Sequence, residues 1–311
     1  MSRELIVLGT ASQVPTRHRN HNGYLLRFDG EGVLFDPGEG TQRQMIVAGV
    51  TASSITRICI THFRGDHCLG LPGDGQRLSL DGVSHVVDVH YPASGQVYYE
   101  RLRGASIFED HASVRAVPID GPSTVACRAG LSLTVRPLDH GVDCYGYRLD
   151  EAPMRTLLPD ALARAGVRGP DVRTLIEHGS VSADGGRVAI DDVSVPRPGQ
   201  SVAFVMDTRL CDAAFELAAG VDLLVCESTY LAAEAREASA HGHLTAPEAG
   251  RIAREAGARR LVLTHFSQRY PSTDPFVDEA RREHDDVVAA RDGERIPVPR
   301  RARVGQRAAG V

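Results

Sequence analysis

Residues 61–68 read THFRGDHC and place His62, Asp66 and His67 within six positions. Three further residues of the same chemical kind stand elsewhere: His140 in RPLDHGVD, Asp207 in FVMDTR and His265 in LTHFSQRY. Neutral imidazoles combined with carboxylates are the donor set that zinc takes in catalytic sites, where one position stays open for water. A lone histidine at the end of an apolar run is ordinarily just a polar residue. Four histidines and two aspartates, each ending such a run or lying in an adjacent loop, point instead to a hydrolytic metal centre. Arg64 breaks the pattern, because a guanidinium offers no lone pair and stays charged.

The elements that must position these residues follow from the alternation of short apolar runs with Gly-rich loops. ELIVLG (4–9), GYLLRF (23–28), GVLFDPG (32–38), RICITH (57–62), SVAFVMDT (201–208), VDLLVCEST (221–229) and RLVLTHFS (260–267) read as strands. Several of them end on a polar or ligand-type residue. TAPEAGRIAREAGA (245–258) has helical spacing, with Thr245 as N-cap and Pro247 in the first turn. The pattern is layered α/β with chemistry at strand ends.

Composition narrows the class. The chain has 311 residues, is 42% hydrophobic and 24% charged, and has a net charge of −5, so it is not a globally basic nucleic-acid binder. All 35 basic residues are arginine. No apolar run approaches the roughly 20 residues of a membrane span, and MSRELIVLGT has no signal-peptide pattern, so a cytoplasmic protein is expected. The six scattered cysteines read as reduced core thiols.

The HxRGDH cluster followed by GLPG resembles the HxHxDH motif of the metallo-β-lactamase superfamily. PTRHRN (15–20), FDPGEGTQRQ (35–44), GYR (146–148), MDTR (206–209), HGHLTA (241–246) and THFSQRY (264–270) narrow the resemblance to the ribonuclease Z family, which removes 3′ trailers from precursor tRNA. The resemblance implies a four-layer αββα sandwich over residues 1–311 with an inserted flexible arm at 151–179; the Arg-rich, aperiodic C-terminal stretch at 297–311 reads as a flexible tail. It implies two zinc ions, one held by His62, His140 and Asp207 and the other by Asp66, His67 and His265, with Asp207 shared. Asp66 would also orient the attacking water, and His243 would give a proton to the leaving oxygen. Paired metals lower the pKa of water enough to supply a nucleophile at neutral pH.

For the substrate, precursor tRNA, the resemblance assigns Arg17 and Arg19 to the RNA end. Arg155, Arg164, Arg168 and Arg173 on the arm would meet phosphates, with Gly169 and Pro170 shaping its tip. It also implies a homodimer in which each arm serves the partner's site. Arg64 stands where the family has a third ligand histidine, so the first zinc site is expected to be weaker. Asp74 and Gly75 occupy positions usually apolar in the following helix, and a compensating Arg64–Asp74 pair is one expectation. Two alternatives to an active ribonuclease Z are a catalytically impaired tRNA binder and a hydrolase of small esters or thioesters. The arm and the PTRHRN loop argue against the last of these.

Overall fold

Side chains alternate between the two faces of every central strand, and this alternation sorts the core into layers. The computed structural model describes residues 3–183 and 185–301. Leu5 and Val7 face one apolar cluster while Ile6 and Leu8 face another. On a strand of the other sheet, Val202 and Phe204 join the first cluster, and Ala203 and Val205 join a third. The shared cluster therefore lies between two sheets, and each outer cluster lies under helices.

Each sheet has seven strands. The first runs in the order Arg295–Pro297, Glu4–Gly9, Gly23–Phe28, Glu31–Phe35, Arg57–Cys59, Val87–Pro92, Val114–Ile119. The second runs Val287–Ala289, Arg260–Thr264, Leu223–Glu227, Ser201–Val205, Tyr145–Glu151, Leu131–Pro137, Ser123–Ala126. Helices Thr41–Val47, Leu71–Leu80 and Gln96–Arg103 contribute Met45, Leu71, Leu78 and Tyr99 to the cluster outside the first sheet. Helices Asp212–Ala218, Ala246–Ala256 and Asp274–Ala280 do the same outside the second, through Leu217, Ile252 and Phe276. This is the expected αββα arrangement. Between the sheets Phe35 stacks on Phe204 at 4.4 Å, and Tyr24 meets Phe204 edge-on at 5.2 Å. Truncating Phe204 would cost about 3–5 kcal/mol.

Residues Glu151–Gln200 form a second compact unit. It pairs Met154–Leu157 with Ser194–Arg197, carries helices Pro159–Arg164 and Pro170–His178, and adds a hairpin of Ser180–Ala183 with Gly186–Ala189. Ala161, Val167, Leu175 and Val193 make its own small core. The unit runs beyond Gly179, where the sequence reading ended the arm. Of the expected tail, Pro297 pairs with Glu4 and Val298 is buried, while residues 302–311 lie outside the described residues.

The helix Leu71–Leu80 holds a correction. The expected pairing of Asp74 does not occur: the residue is 1% exposed, and neither carboxylate oxygen has a hydrogen-bond partner among the described residues. Burial pushes its pKa up to about 8. Arg64 is exposed and makes no ion pair with it, so the proposed compensation is absent.

Candidate metal centre

Parallel pairing brings the ligand-type residues together, because neighbouring parallel strands end at the same edge. In the first sheet Glu31–Phe35 pairs in parallel with Arg57–Cys59, so Asp36 and His62 leave the sheet side by side. In the second, Ser201–Val205, Leu223–Glu227 and Arg260–Thr264 are successive parallel neighbours, delivering Asp207, Glu227 and His265. Asp66 and His67 sit on the short helix Gly65–Cys68. His140 follows the strand ending at Pro137. His243 lies between helix Ala235–His241 and helix Ala246–Ala256, the latter begun by Thr245, whose N–H and hydroxyl both donate to Glu248 at 2.8 Å.

Three of these residues have left-handed backbone without being glycine: Asp36 (φ 45°), Asp207 (φ 21°) and His265 (φ 61°). Such conformations cost on the order of 1–3 kcal/mol each and persist where the surroundings over-determine them. Here the surroundings are hydrogen bonds that fix every ring.

Each imidazole has a partner on Nδ1. His62 Nδ1 lies 3.0 Å from Thr61 Oγ1, which itself donates to Asp36. His67 donates to Asp36 at 2.8 Å, and His140 donates to the carbonyl of Gly242 at 2.8 Å. His265 donates to Thr229 Oγ1 at 2.8 Å, and His243 to Glu227 at 3.1 Å. With Nδ1 as donor, the lone pair of each neutral ring is on Nε2. For four of the rings Nε2 comes within ion-pair distance of Asp207.

Asp207 divides the nest between its two oxygens. Oδ2 lies 3.6 Å from both His62 Nε2 and His140 Nε2. Oδ1 lies 3.5 Å from His67 Nε2 and 3.2 Å from His265 Nε2. Asp66 Oδ2 closes the second half, 3.4 Å from His67 Nε2 and 3.5 Å from His265 Nε2, and accepts the backbone N–H of Gln13 at 2.7 Å. Two ligands about 2.0–2.1 Å from a tetrahedral ion are about 3.4 Å apart, so these spacings fit a metal. His62 Nε2, His140 Nε2 and Asp207 Oδ1 are buried without hydrogen-bond partners, which is the signature of donors built for an ion.

The electrostatics of the halves differ. Burial would lower the proton affinity of His67, but Asp207, Asp66 and Asp36 outweigh it and raise the pKa well above the ordinary range. His62 goes the other way, held well below its ordinary value by burial and by the neighbouring His67. Burial also lowers His140, against the pull of Asp207. Asp66 and Asp207 stay far below the usual carboxylate range: burial opposes this, and His67 and His265 prevail. His243 is pushed up to about 9, because Glu227 and Asp207 overcome burial.

The remaining residues singled out from the sequence separate into engaged and available groups. Arg17 is exposed on its loop, whereas Arg19 turns inward and donates to the carbonyl of Tyr270 at 2.5 Å. In the second unit, Arg155 pairs with Asp191 at 2.6 Å and Arg173 with Glu177 at 2.7 Å. Arg164 and Arg168 line a cavity of about 340 Å³ together with Arg187, which the sequence reading passed over. Gly169 adopts φ 53°, a conformation that favours glycine, and Pro170 begins the helix after it. Arg64 has no lone pair to offer as a ligand; its side chain is exposed and its Nη2 approaches Gly141, the residue after His140. Asp36, Glu227, Thr61 and Thr229 were not picked out from the sequence, although Asp36 and Glu227 lie at the ends of apolar runs like the ligands they orient.

Two family models, several sequence relatives and solved structures match the chain. The metallo-beta-lactamase superfamily model matches residues 16–200, and a beta-lactamase superfamily domain model matches residues 186–266. A ribonuclease Z of Nocardia farcinica is 57% identical over 301 residues, covering 96% of this chain and 99% of that protein. One from Chlamydia trachomatis serovar L2 is 46% identical, covering 93% and 95%. Among solved structures, the short form of human tRNase Z superposes with a TM-score of 0.68 at 24% identity, over 95% of this chain and 99% of that one, and shares the fold.

Proposed function

The chain belongs to the ribonuclease Z family of the metallo-beta-lactamase superfamily, and from that membership we propose that it is a metal-dependent endoribonuclease removing 3′ trailers from precursor tRNA. The observation carrying this reading is the set of Nδ1 anchors that turns the Nε2 atoms of His62, His67, His140 and His265 onto the two oxygens of Asp207. His62, His140 and Asp207 would hold one zinc ion; Asp66, His67, His265 and the same Asp207 would hold the other. Bound there, the ions supply a water acidic enough to be a nucleophile at neutral pH and neutralise phosphate charge.

The chain's own residues do the rest. Asp66, fixed by the Gln13 N–H, orients the attacking water. His243, tied through Nδ1 to Glu227, presents Nε2 as the proton donor to the departing 3′-oxygen. Water adds to phosphorus, the bond to the 3′-oxygen breaks, and the tRNA keeps a 3′-hydroxyl while the trailer keeps the phosphate. Of the arginines assigned to the substrate, Arg17 at the loop and Arg164 and Arg168 on the 151–200 unit are the ones available to RNA phosphates, since Arg19, Arg155 and Arg173 already have protein partners. A homodimer sharing arms, and a cytoplasmic location, belong to the same proposal; no described helix is long and apolar enough to cross a membrane.

Purified protein given a 3′-extended precursor tRNA with zinc or manganese should release the trailer next to the discriminator base, and chelation should abolish the cut. A protein that binds the tRNA but leaves it intact under both metals would establish instead the impaired binder that Arg64 suggests.

A further inference from the structure

Arg64 occupies the first turn of the nest without serving as a ligand. Its backbone is fixed, since its carbonyl accepts the N–H of His67 at 3.0 Å and the thiol of Cys68 at 3.2 Å. The side chain therefore starts from a defined point between His62 and Asp66. It is exposed, and its Nη2 lies 3.9 Å from where a Cβ on Gly141 would stand, beside the first-half ligand His140. Its charge opposes protonation of both His140 and His243, which puts both rings within its electrostatic reach. Among the described residues, no carboxylate or carbonyl takes any of its N–H donors, although many other arginines of the chain are paired.

A free planar guanidinium beside an anion-hydrolysing centre is suited to bidentate contact with phosphate oxygens. The half of the nest that it borders has only three donors, so the charge supplied there by a metal is the least secure in the site. We propose that Arg64 is a catalytic residue: its guanidinium binds the non-bridging oxygens of the scissile phosphodiester at the first half of the nest and neutralises charge that a fully liganded ion would otherwise carry. The inference rests on the ribonuclease reading. Arg64 forms and breaks no covalent bond. It donates hydrogen bonds to the phosphate while water adds to phosphorus and the 3′-oxygen leaves with a proton.

The test compares wild type with Arg64→Ala, Arg64→Lys and Arg64→His on precursor tRNA and on bis(p-nitrophenyl) phosphate, alongside metal content by atomic emission and tRNA Kd. Substitution at this exposed position leaves the core intact, and metal content checks the fold of each variant. Loss of one preorganised donor predicts a fall in kcat of about 10²-fold or more for Arg64→Ala, with metal content and tRNA Kd within about twofold of wild type and partial recovery in Arg64→Lys. Sulfur in place of a non-bridging oxygen should shrink the difference between wild type and Arg64→Ala. The proposal falls, and the ribonuclease reading stands, if wild type cleaves tRNA and Arg64→Ala matches it, or if only Arg64→His gains activity together with extra metal. A wild type that cleaves neither substrate overturns both.

Discussion

The two halves of the metal nest are built from the same residue types and yet are unequal. The half around Asp207 Oδ1 gathers His67, His265 and Asp66 within 3.2–3.5 Å contacts and holds strongly coupled charges. Around Oδ2 stand His62 and His140, both looser at 3.6 Å and both with burial lowering their proton affinity, and His243 Nδ1 lies farther off at 4.0 Å. The anchors behind the rings are equally complete in each half. What differs is a single donor, so the anchoring of a site's rings and the number of its donors are separable properties.

The sharpest way to break the comparison is to remove what the halves share. Asp207→Ala should strip metal from both and reduce cleavage by about 10³-fold or more, as expected when metal-based charge stabilisation is lost; metal bound in either half at wild-type stoichiometry would refute the sharing. A smaller effect separates the halves. Thr229→Val leaves every ligand in place but takes the acceptor from His265 Nδ1, so second-half affinity should drop by about 10–100-fold in a metal titration. An equal drop in the first half would mean the anchors act on the whole nest.

The smallest expected effect lies outside the nest, in the neighbouring helix. Asp74→Val removes a buried carboxyl with no partner and should stabilise the protein by about 1–3 kcal/mol. The sign with pH follows from a folded pKa of about 8 against an ordinary value of 3.8. Between those values the unfolded chain releases the proton and the folded chain keeps it, so wild-type stability declines as pH rises through that window and levels off above it. The Tm advantage of Asp74→Val should therefore widen from pH 5 to pH 8. A constant advantage would show that Asp74 finds a partner in solution.

Much of this was legible in the sequence because strands and ligands announce themselves by type and spacing. Glu4–Gly9 and Gly23–Phe28 match their apolar runs residue for residue. The helix from Ala246 starts after Thr245 as its cap chemistry requires. The other strand runs were read too long at their C-terminal ends, since RICITH and SVAFVMDT include ligands that have already left the sheet at Cys59 and Val205. Asp36 and Glu227 were missed because an anchor has no spacing rule of its own; only the fold brings Asp36 to His67, 31 residues on. Arg19 could not be distinguished from Arg17 by type, since its carbonyl partner at Tyr270 is 251 positions away. The hairpin Ser180–Ala189 was lost in a polar stretch whose few apolar residues pack only on the unit's own small core. Asp74 defied the expectation that a charge in a helix finds water or a partner.

Asp207 also has a consequence for how the chain holds itself together. Its oxygens meet His62 and His67 from one sheet and His265 from the other, and the two Nε2 atoms of His67 and His265 lie 3.2 Å apart across 198 positions of sequence. An ion held there would link the two sheets at the ends of their central strands and join residues far apart in sequence. Hydrogen exchange in the strands Arg57–Cys59 and Arg260–Thr264 should slow as metal is added, because each bound ion opposes the separation of the sheets by mass action.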